Sequence, residues 1–367
     1  MTAVLACDRC LRQAWLVQRL GGRLEIARHE EVRLPEVLAL SDEDLIAALG
    51  GPDPKEIRAE HASFDPGPAR AAAARAGLTP VCVHDPLYPR RLAEMRDAPS
   101  VLHVAGALER LERLGDEEVR TVAIVGTRRA TRDGLEVARA LGRDLALAGV
   151  PVMSGMALGI DSAAQRGAVD AGGLSVAVLA GCADVPYPRR ERALHASLVQ
   201  KGLVVSEAPT GGRAWKWSFP ARNRIIAGLA DLTVVVEAAE RSGSLITADL
   251  AMRLGRDVAA VPGPVTSSVC AGTNGLLRDG AVLVRDAQDV LDALYGAGGA
   301  PVLRTTAVEL EPHLAVIFDA VAEGRNTVAA LAGTSTERAE QAMIGLTELE
   351  LRGLVRREPG GRYAVAL

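Results

Sequence analysis

At 367 residues the chain is long for one domain and has room for two or three. Apolar residues make up 49% of it, aromatics only 3%, and the formal net charge is −4. That balance speaks against a protein that coats nucleic acid indiscriminately, but it leaves room for a local basic groove, because phosphate affinity depends on the charges a strand touches.

Met1–Leu11 is broken by Asp8 and Arg9, so it lacks the apolar core of a secretion signal, and no apolar run is long enough to span a bilayer. A cytoplasmic protein is expected. The basic positions are nearly all Arg; Lys55, Lys201 and Lys216 are the only lysines. Five cysteines, an odd number without an export signal, make disulfides an unexpected feature. Cys7 and Cys10 form a lone CxxC, half of a zinc site, but no second CxxC or HxxxH follows nearby. Two scattered thiols, no bound metal and no cofactor are therefore expected.

Three stretches differ in texture. Residues 1–97 are Ala-rich and helical, with breakers at Pro52-Asp53-Pro54 and Asp65-Pro66-Gly67-Pro68, and close on Val81-Cys82-Val83 and the turn His84–Pro89. Residues 98–295 alternate apolar runs with helical patterns. The expected strands are Thr121–Val125, Val150–Met153, Leu174–Leu179, Leu203–Ser206, Leu232–Val236, Val258–Val261 and Ala281–Val284. Their near-continuous apolarity suits parallel strands buried on both faces. Helices are expected between them, among them Gly134–Ala148 and Ser244–Leu254. This alternation gives an α/β fold: a Rossmann-like, doubly wound, mostly parallel sheet that binds ligands beyond the strands' C-terminal ends. A Gly- and Ala-rich linker covers 296–307. Residues 308–367 then read as helix (Pro312–Glu323), short helix (Thr327–Ala332), long helix (Thr336–Arg352) and two short strands about Pro359-Gly360-Gly361, the order of a winged-helix domain.

Four turns at strand ends could carry chemistry. After the first core strand, Gly126-Thr127-Arg128-Arg129 stands where a dinucleotide fold would place GxGxxG; guanidinium forks replace bare backbone and suit exposed phosphates. In the second, Ser154-Gly155 and Gly159 allow a ligand close to the backbone, and Asp161 can cap the next helix. The third is Phe219-Pro220-Ala221-Arg222-Asn223-Arg224, preceded by Arg213, Trp215, Lys216 and Trp217. Here the scarce aromatics fall among cations, as on a platform where bases stack and phosphates are clamped. Trp215 and Trp217 suit core packing, whereas Phe219 suits base contact. Arg222 and Arg224 point to different faces of a helix, so one can reach the cleft while the protein holds the other, with Glu237 a candidate partner. In the fourth, Ser242-Gly243-Ser244 at a helix start offers hydroxyls and N–H groups to an anion, or ordinary capping.

The ordered string Val122-Ala-Ile-Val-Gly-Thr-Arg128, Ser154-Gly-Met-Ala-Leu-Gly-Ile-Asp161, Ala177-Val-Leu-Ala-Gly181, Tyr187-Pro188, Ser206-Glu207, Phe219-Pro-Ala-Arg-Asn-Arg-Ile-Ile-Ala-Gly-Leu229, Val236-Glu-Ala238, Ser242-Gly-Ser-Leu-Ile-Thr-Ala248 and Val261-Pro-Gly263 resembles the DprA/Smf family. Tyr88-Pro89 and Gly272-Thr-Asn-Gly-Leu-Leu277 also match, so the resemblance runs from about Leu78 to Leu294. It implies binding of single-stranded DNA in a basic pocket and a homodimer through the Rossmann-like core, with contacts roughly between Leu250 and Leu277. It further implies loading of the RecA recombinase onto incoming DNA in natural transformation, with single-strand-binding protein a further candidate partner. Family DNA contacts carry over to Arg128, the Lys216–Phe219 neighbourhood and Arg222. One departure is Gln165, which follows Ala164 where the family usually has His; Gln cannot titrate near neutrality or act as a general base.

The rival reading is a nucleotide-binding, phosphoribohydrolase-like enzyme. Such chemistry needs a poised acid or base beside the sugar. Asp161 and Glu237 are the available carboxylates, each with a structural role open to it; His84, His103 and His195 lie outside the four turns, and no metal cluster, P-loop or Ser–His–Asp order is visible. No catalytic residue is expected. The would-be recognition helix of the tail carries Glu337, Glu340, Glu348 and Glu350 against Arg338 and Arg352. That charge disfavours duplex reading and suits a protein contact.

Overall fold

A computed structural model describes residues 6–29, 34–52, 54–297, 311–333, 335–352 and 354–365. The chain divides into two compact units, Met1–Val302 and Leu303–Leu367.

The first unit is built on a nine-stranded sheet in the order β1-β2-β6-β5-β4-β3-β7-β8-β9. The strands are β1 (Thr79–Cys82), β2 (Val101–Gly106), β3 (Val122–Val125), β4 (Val152–Ser154), β5 (Ser175–Leu179), β6 (Leu203–Ser206), β7 (Leu232–Val235), β8 (Asp257–Ala260) and β9 (Val282–Leu283). From β6 to β9 every neighbouring pair is parallel; β1 on β2 and β2 on β6 are antiparallel. The mostly parallel α/β fold expected from the apolar runs is present. β3, buried along its whole length, is the pivot: the chain steps outward through β4, β5 and β6, then crosses back and pairs β7 on the other side of β3, Val122 facing both Val152 and Leu232. A crevice opens at such a reversal, beyond the strands' C-terminal ends.

β2 was not among the expected strands. Its apolar run is interrupted by His103, which the sheet nevertheless buries. Through β2, the strand β1 of the N-terminal stretch joins the same sheet. The helices before β1 pack around Leu16, Leu20, Leu24, Leu45 and Ile46, together with Trp217 and Ala221. The start of the Ser218–Leu229 helix is thereby seated on the N-terminal helices: Trp217 Nε1 donates to the Gly21 carbonyl at 2.9 Å, and the Trp217 N–H to Glu25 at 2.8 Å. Cys7 and Cys10 are not scattered thiols; their side chains converge with those of Cys82 and His84.

Among its described residues the second unit has three helices, Pro312–Ala322, Val328–Ala332 and Thr336–Leu351, followed by the antiparallel hairpin β10 (Val355–Glu358) and β11 (Arg362–Val365). Leu314, Leu346, Leu349, Val355 and Tyr363 form its core. Most of the expected 296–307 linker lies outside the described residues. Among the described residues no helix is long and apolar enough to cross a membrane.

Candidate nucleic-acid interface at the switch point

Two adjoining hollows, of about 170 and 420 Å³, lie at the strand ends and share Arg128, Ala157, Phe219 and Arg222 as walls. The smaller adds Gly155, Leu179, Tyr187 and Pro188; the larger adds Gly126, Thr127, Arg129, Asp161, Asn223 and Ser242–Ser244. Segments far apart in the chain therefore meet here because each follows a strand at the same sheet edge.

Arg128 and Arg129 are exposed, and neither side chain has an ion-pair partner among the described residues. The Arg128 guanidinium carbon lies 5.9 Å from the Phe219 ring centre, and the Tyr187 ring lies 5.4 Å from the same ring at an angle of 54°. Tyr187 is 51% exposed. A cation and two rings, one of them open to solvent, thus stand together at the mouth. Tyr187 was not among the expected site residues. The signal available in the sequence was a scarce aromatic between Pro186 and Pro188, shortly after a buried strand.

Arg222 forms the floor. Its Nη1 donates to the carbonyls of Gly155, at 2.8 Å, and Val178, and its Nε donates to Asn223 Oδ1 at 3.1 Å. Nη2 has no hydrogen-bond partner among the described residues, which leaves it free to donate to a ligand. Burial pulls this guanidinium down to about 10 against the pull of the Asp161 carboxylate, with Arg128 adding to the fall. Burial likewise raises the Asp161 carboxyl, opposed by Arg222 and by the N–H groups of Ala157 and Gly155. Asp161 accepts from those two N–H groups at 3.4 and 3.1 Å, so it shapes the Gly155–Gly159 turn. Glycine at 155 makes room for this guanidinium: a Cβ there would sit 2.2 Å from Arg222 Nη1 and push it from its place. Gly159, at φ +88°, packs so closely that a Cβ would meet the Thr127 carbonyl at 2.3 Å.

Several expected contacts are corrected by the geometry. Arg224, 1% exposed, turns away from the cleft: its Nη2 and Nη1 donate to Glu207 at 2.7 and 3.0 Å, and its Nε lies 3.1 Å from Asp97 Oδ2. The partner is Glu207 rather than Glu237, because β6 brings Glu207 under the helix. Glu237 instead accepts from the Thr131 hydroxyl and from the Thr131 N–H at 2.9 Å, bracing the Arg128 turn. Ser154 is fully buried and its hydroxyl donates to the Ile124 carbonyl at 2.6 Å, so it ties β4 to β3. Lys216 is exposed but lines neither hollow, and Gly159 acts through packing. Trp217, in contrast, lies in the core as expected, 2% exposed. Ser242 caps the Gly243–Arg253 helix through the Ser244 N–H at 3.4 Å while still facing the larger hollow. Gln165 is buried and donates to the Val176 carbonyl at 3.0 Å, fastening a helix to β5.

The family model for DNA recombination-mediator protein A matches residues 79–295, the stretch that builds this edge. The chain belongs to that family, the DprA/Smf family. A provisionally named DNA processing protein DprA of Mycobacterium tuberculosis is 37% identical over 94% of this chain and 82% of its own length. Protein Smf of Escherichia coli is 35% identical over 75% of this chain and 74% of its own. The crystal structure of DNA processing protein A from Streptococcus pneumoniae superposes with a TM-score of 0.61 at 32% identity, covering 78% of this chain and 96% of that one. DNA processing protein A from Helicobacter pylori, in a study of its single-stranded DNA binding mode, gives 0.53 at 29% identity, covering 60% and 97%.

Proposed function

We propose that the protein binds single-stranded DNA across the strand-end hollows and passes it to the RecA recombinase during recombination of incoming DNA in natural transformation. The observation that carries this reading is the Arg128 guanidinium over Phe219 with Tyr187 beside it. A nucleotide offers a phosphate and a flat base at the spacing such a group can meet, and aromatic stacking with cationic contacts is how single strands are held without duplex reading. Arg128 and Arg129 hold phosphates, Phe219 and Tyr187 take a base, and Arg222 Nη2 donates to whatever oxygen reaches the floor. The Helicobacter pylori relative, whose single-strand binding mode is described, supports the substrate class.

The role is one of binding. Asp161 and Glu237, the carboxylates a nucleotide-cleaving enzyme would need, are each engaged in holding a turn. Two copies join through the core near Leu250–Leu277, where Met252 and Val265 expose 53% and 93% of their surface, and a pair of grooves adds avidity without new contacts. The second unit is a winged-helix domain whose acidic third helix suits a protein partner.

Fluorescence anisotropy of labelled oligo-dT tests the groove, run against duplex, across salt concentrations and with Arg128→Ala. Single-strand binding that weakens steeply with salt and drops in the variant is expected. Absent binding, or binding indifferent to Arg128→Ala, would sink the assignment and bring nucleotide turnover forward as the next assay.

A further inference from the structure

Outside the two hollows, four side chains converge for which DNA binding has no use. Cys7 immediately precedes the Asp8–Arg19 helix and Cys10 lies in its first turn; Cys82 ends β1, and His84 follows in the next turn. Their ligand atoms all lie within 4.8 Å of one another. His84 Nδ1 stands 3.6 Å from Cys7 Sγ and 3.3 Å from Cys10 Sγ, although these residues are 77 and 74 positions apart. Zinc bonded at about 2.3 Å to sulfur and about 2.05 Å to nitrogen sets tetrahedral S···N edges of about 3.6 Å and S···S edges of about 3.8 Å.

We propose that Cys7, Cys10, Cys82 and His84 hold a structural zinc ion. Three thiols and one imidazole make a closed four-donor set, with no position left for a reacting water, which separates a structural site from a catalytic one. Soft sulfur donors in a tetrahedral arrangement select zinc over the harder divalent cations. Core packing accounts for Cys10 and Cys82, each 2% exposed, but not for an exposed His84 that directs a ring nitrogen at two thiols. A disulfide can join only two of three thiols and leaves the imidazole without a role. The start of the helix supplies partial positive charge, and the Cys7 N–H lies 3.5 Å from Cys82 Sγ, so excess thiolate charge is compensated locally.

The ion staples the first helix to an edge strand of the sheet. The same helix carries Leu16 and Val17, and Leu20 just beyond it, which pack with Trp217 at the start of the Ser218–Leu229 helix. The metal therefore anchors the layer on which the groove's helix is seated, without touching the groove.

The test is elemental analysis of the purified, reduced full chain, with cobalt(II) as a spectroscopic probe. About one zinc per chain is expected, together with thiolate-to-cobalt charge transfer and the intense visible bands of a tetrahedral ion. Cys82→Ser should drop bound zinc to under about a tenth of an equivalent, while Cys182→Ser, outside the cluster, keeps it. His84→Cys should retain zinc and raise the cobalt–thiolate absorption by about a third, from three sulfurs to four. A folded wild-type chain whose five thiols all titrate as free, and which holds neither zinc nor cobalt, overturns the proposal. So does a disulfide within the cluster, or zinc undiminished in Cys82→Ser; iron in place of zinc overturns the choice of metal.

Discussion

The guanidinium carbon of Arg128 lies 5.9 Å from the centre of the Phe219 ring, although 91 positions separate the two residues in sequence (219 − 128). A cation over a ring at this range contributes about 0.5–1 kcal/mol at an exposed site, enough to hold both groups ready without locking either. DNA binding would then recruit a pair that is already arranged.

That arrangement predicts coupling between the two side chains. Phe219→Ala should weaken oligo-dT binding by about 1–3 kcal/mol, roughly five- to 150-fold, the range for one stacked base. Arg128→Ala should lower the slope of log affinity against log salt by about one phosphate's worth. In a double-mutant cycle the combined loss should fall short of the sum by about 0.5–1 kcal/mol. Strict additivity in anisotropy titrations would mean that the pair does not act together.

Arg222 and Arg224 should part company when each is changed to Met. Arg224→Met leaves Glu207 and Asp97 without their buried cation, so stability should fall on the order of 3–5 kcal/mol. The folded fraction should still bind oligo-dT as the parent does. Arg222→Met removes the donor to Gly155 and Val178 and the groove's floor at once, so both stability and affinity should fall. Urea midpoints alongside binding curves separate the two; equal loss of affinity in both variants would return Arg224 to the cleft.

His103 makes stability depend on mild acid. Burial pushes its imidazole down to about 4 from an ordinary 6.5. Between those values the unfolded chain takes up a proton that the folded sheet refuses. The stabilisation is therefore complete above about 6.5 and erodes as pH falls towards 4, by on the order of 3 kcal/mol at most. Urea unfolding at several pH values should show this fall, and His103→Gln should flatten it. A slope unchanged by the substitution would assign the acid sensitivity to other groups.

Every residue lining the two hollows belongs to the unit Met1–Val302. A chain ending at residue 302 should therefore bind oligo-dT with the parent's affinity and salt slope. Substantial weakening at unchanged helix content would give the second unit a direct part in holding the strand.

Much of this was legible locally. Continuous apolar runs marked β3 to β9, because strands buried on both faces need no polar alternation. Glycines and cations after those runs marked the turns. β2 escaped because His103 breaks its pattern, and a lone polar residue is tolerated only once neighbouring strands bury it.

What the amino-acid order determined by itself was the strand–helix alternation, the edge at which a cleft opens, and the fact that Arg222 and Arg224 face different ways. Only the tertiary structure decided which arginine looks outward, because that depends on Asp97 and Glu207 arriving from β2's approach and from β6. It alone brought Tyr187 to Phe219, and Cys7 and Cys10 to Cys82 and His84. Periodicity and turn chemistry act over a few residues and can be read in order along a chain. Pairing across many tens of residues is chosen by how the sheet and its helices pack, and no short window of sequence contains it.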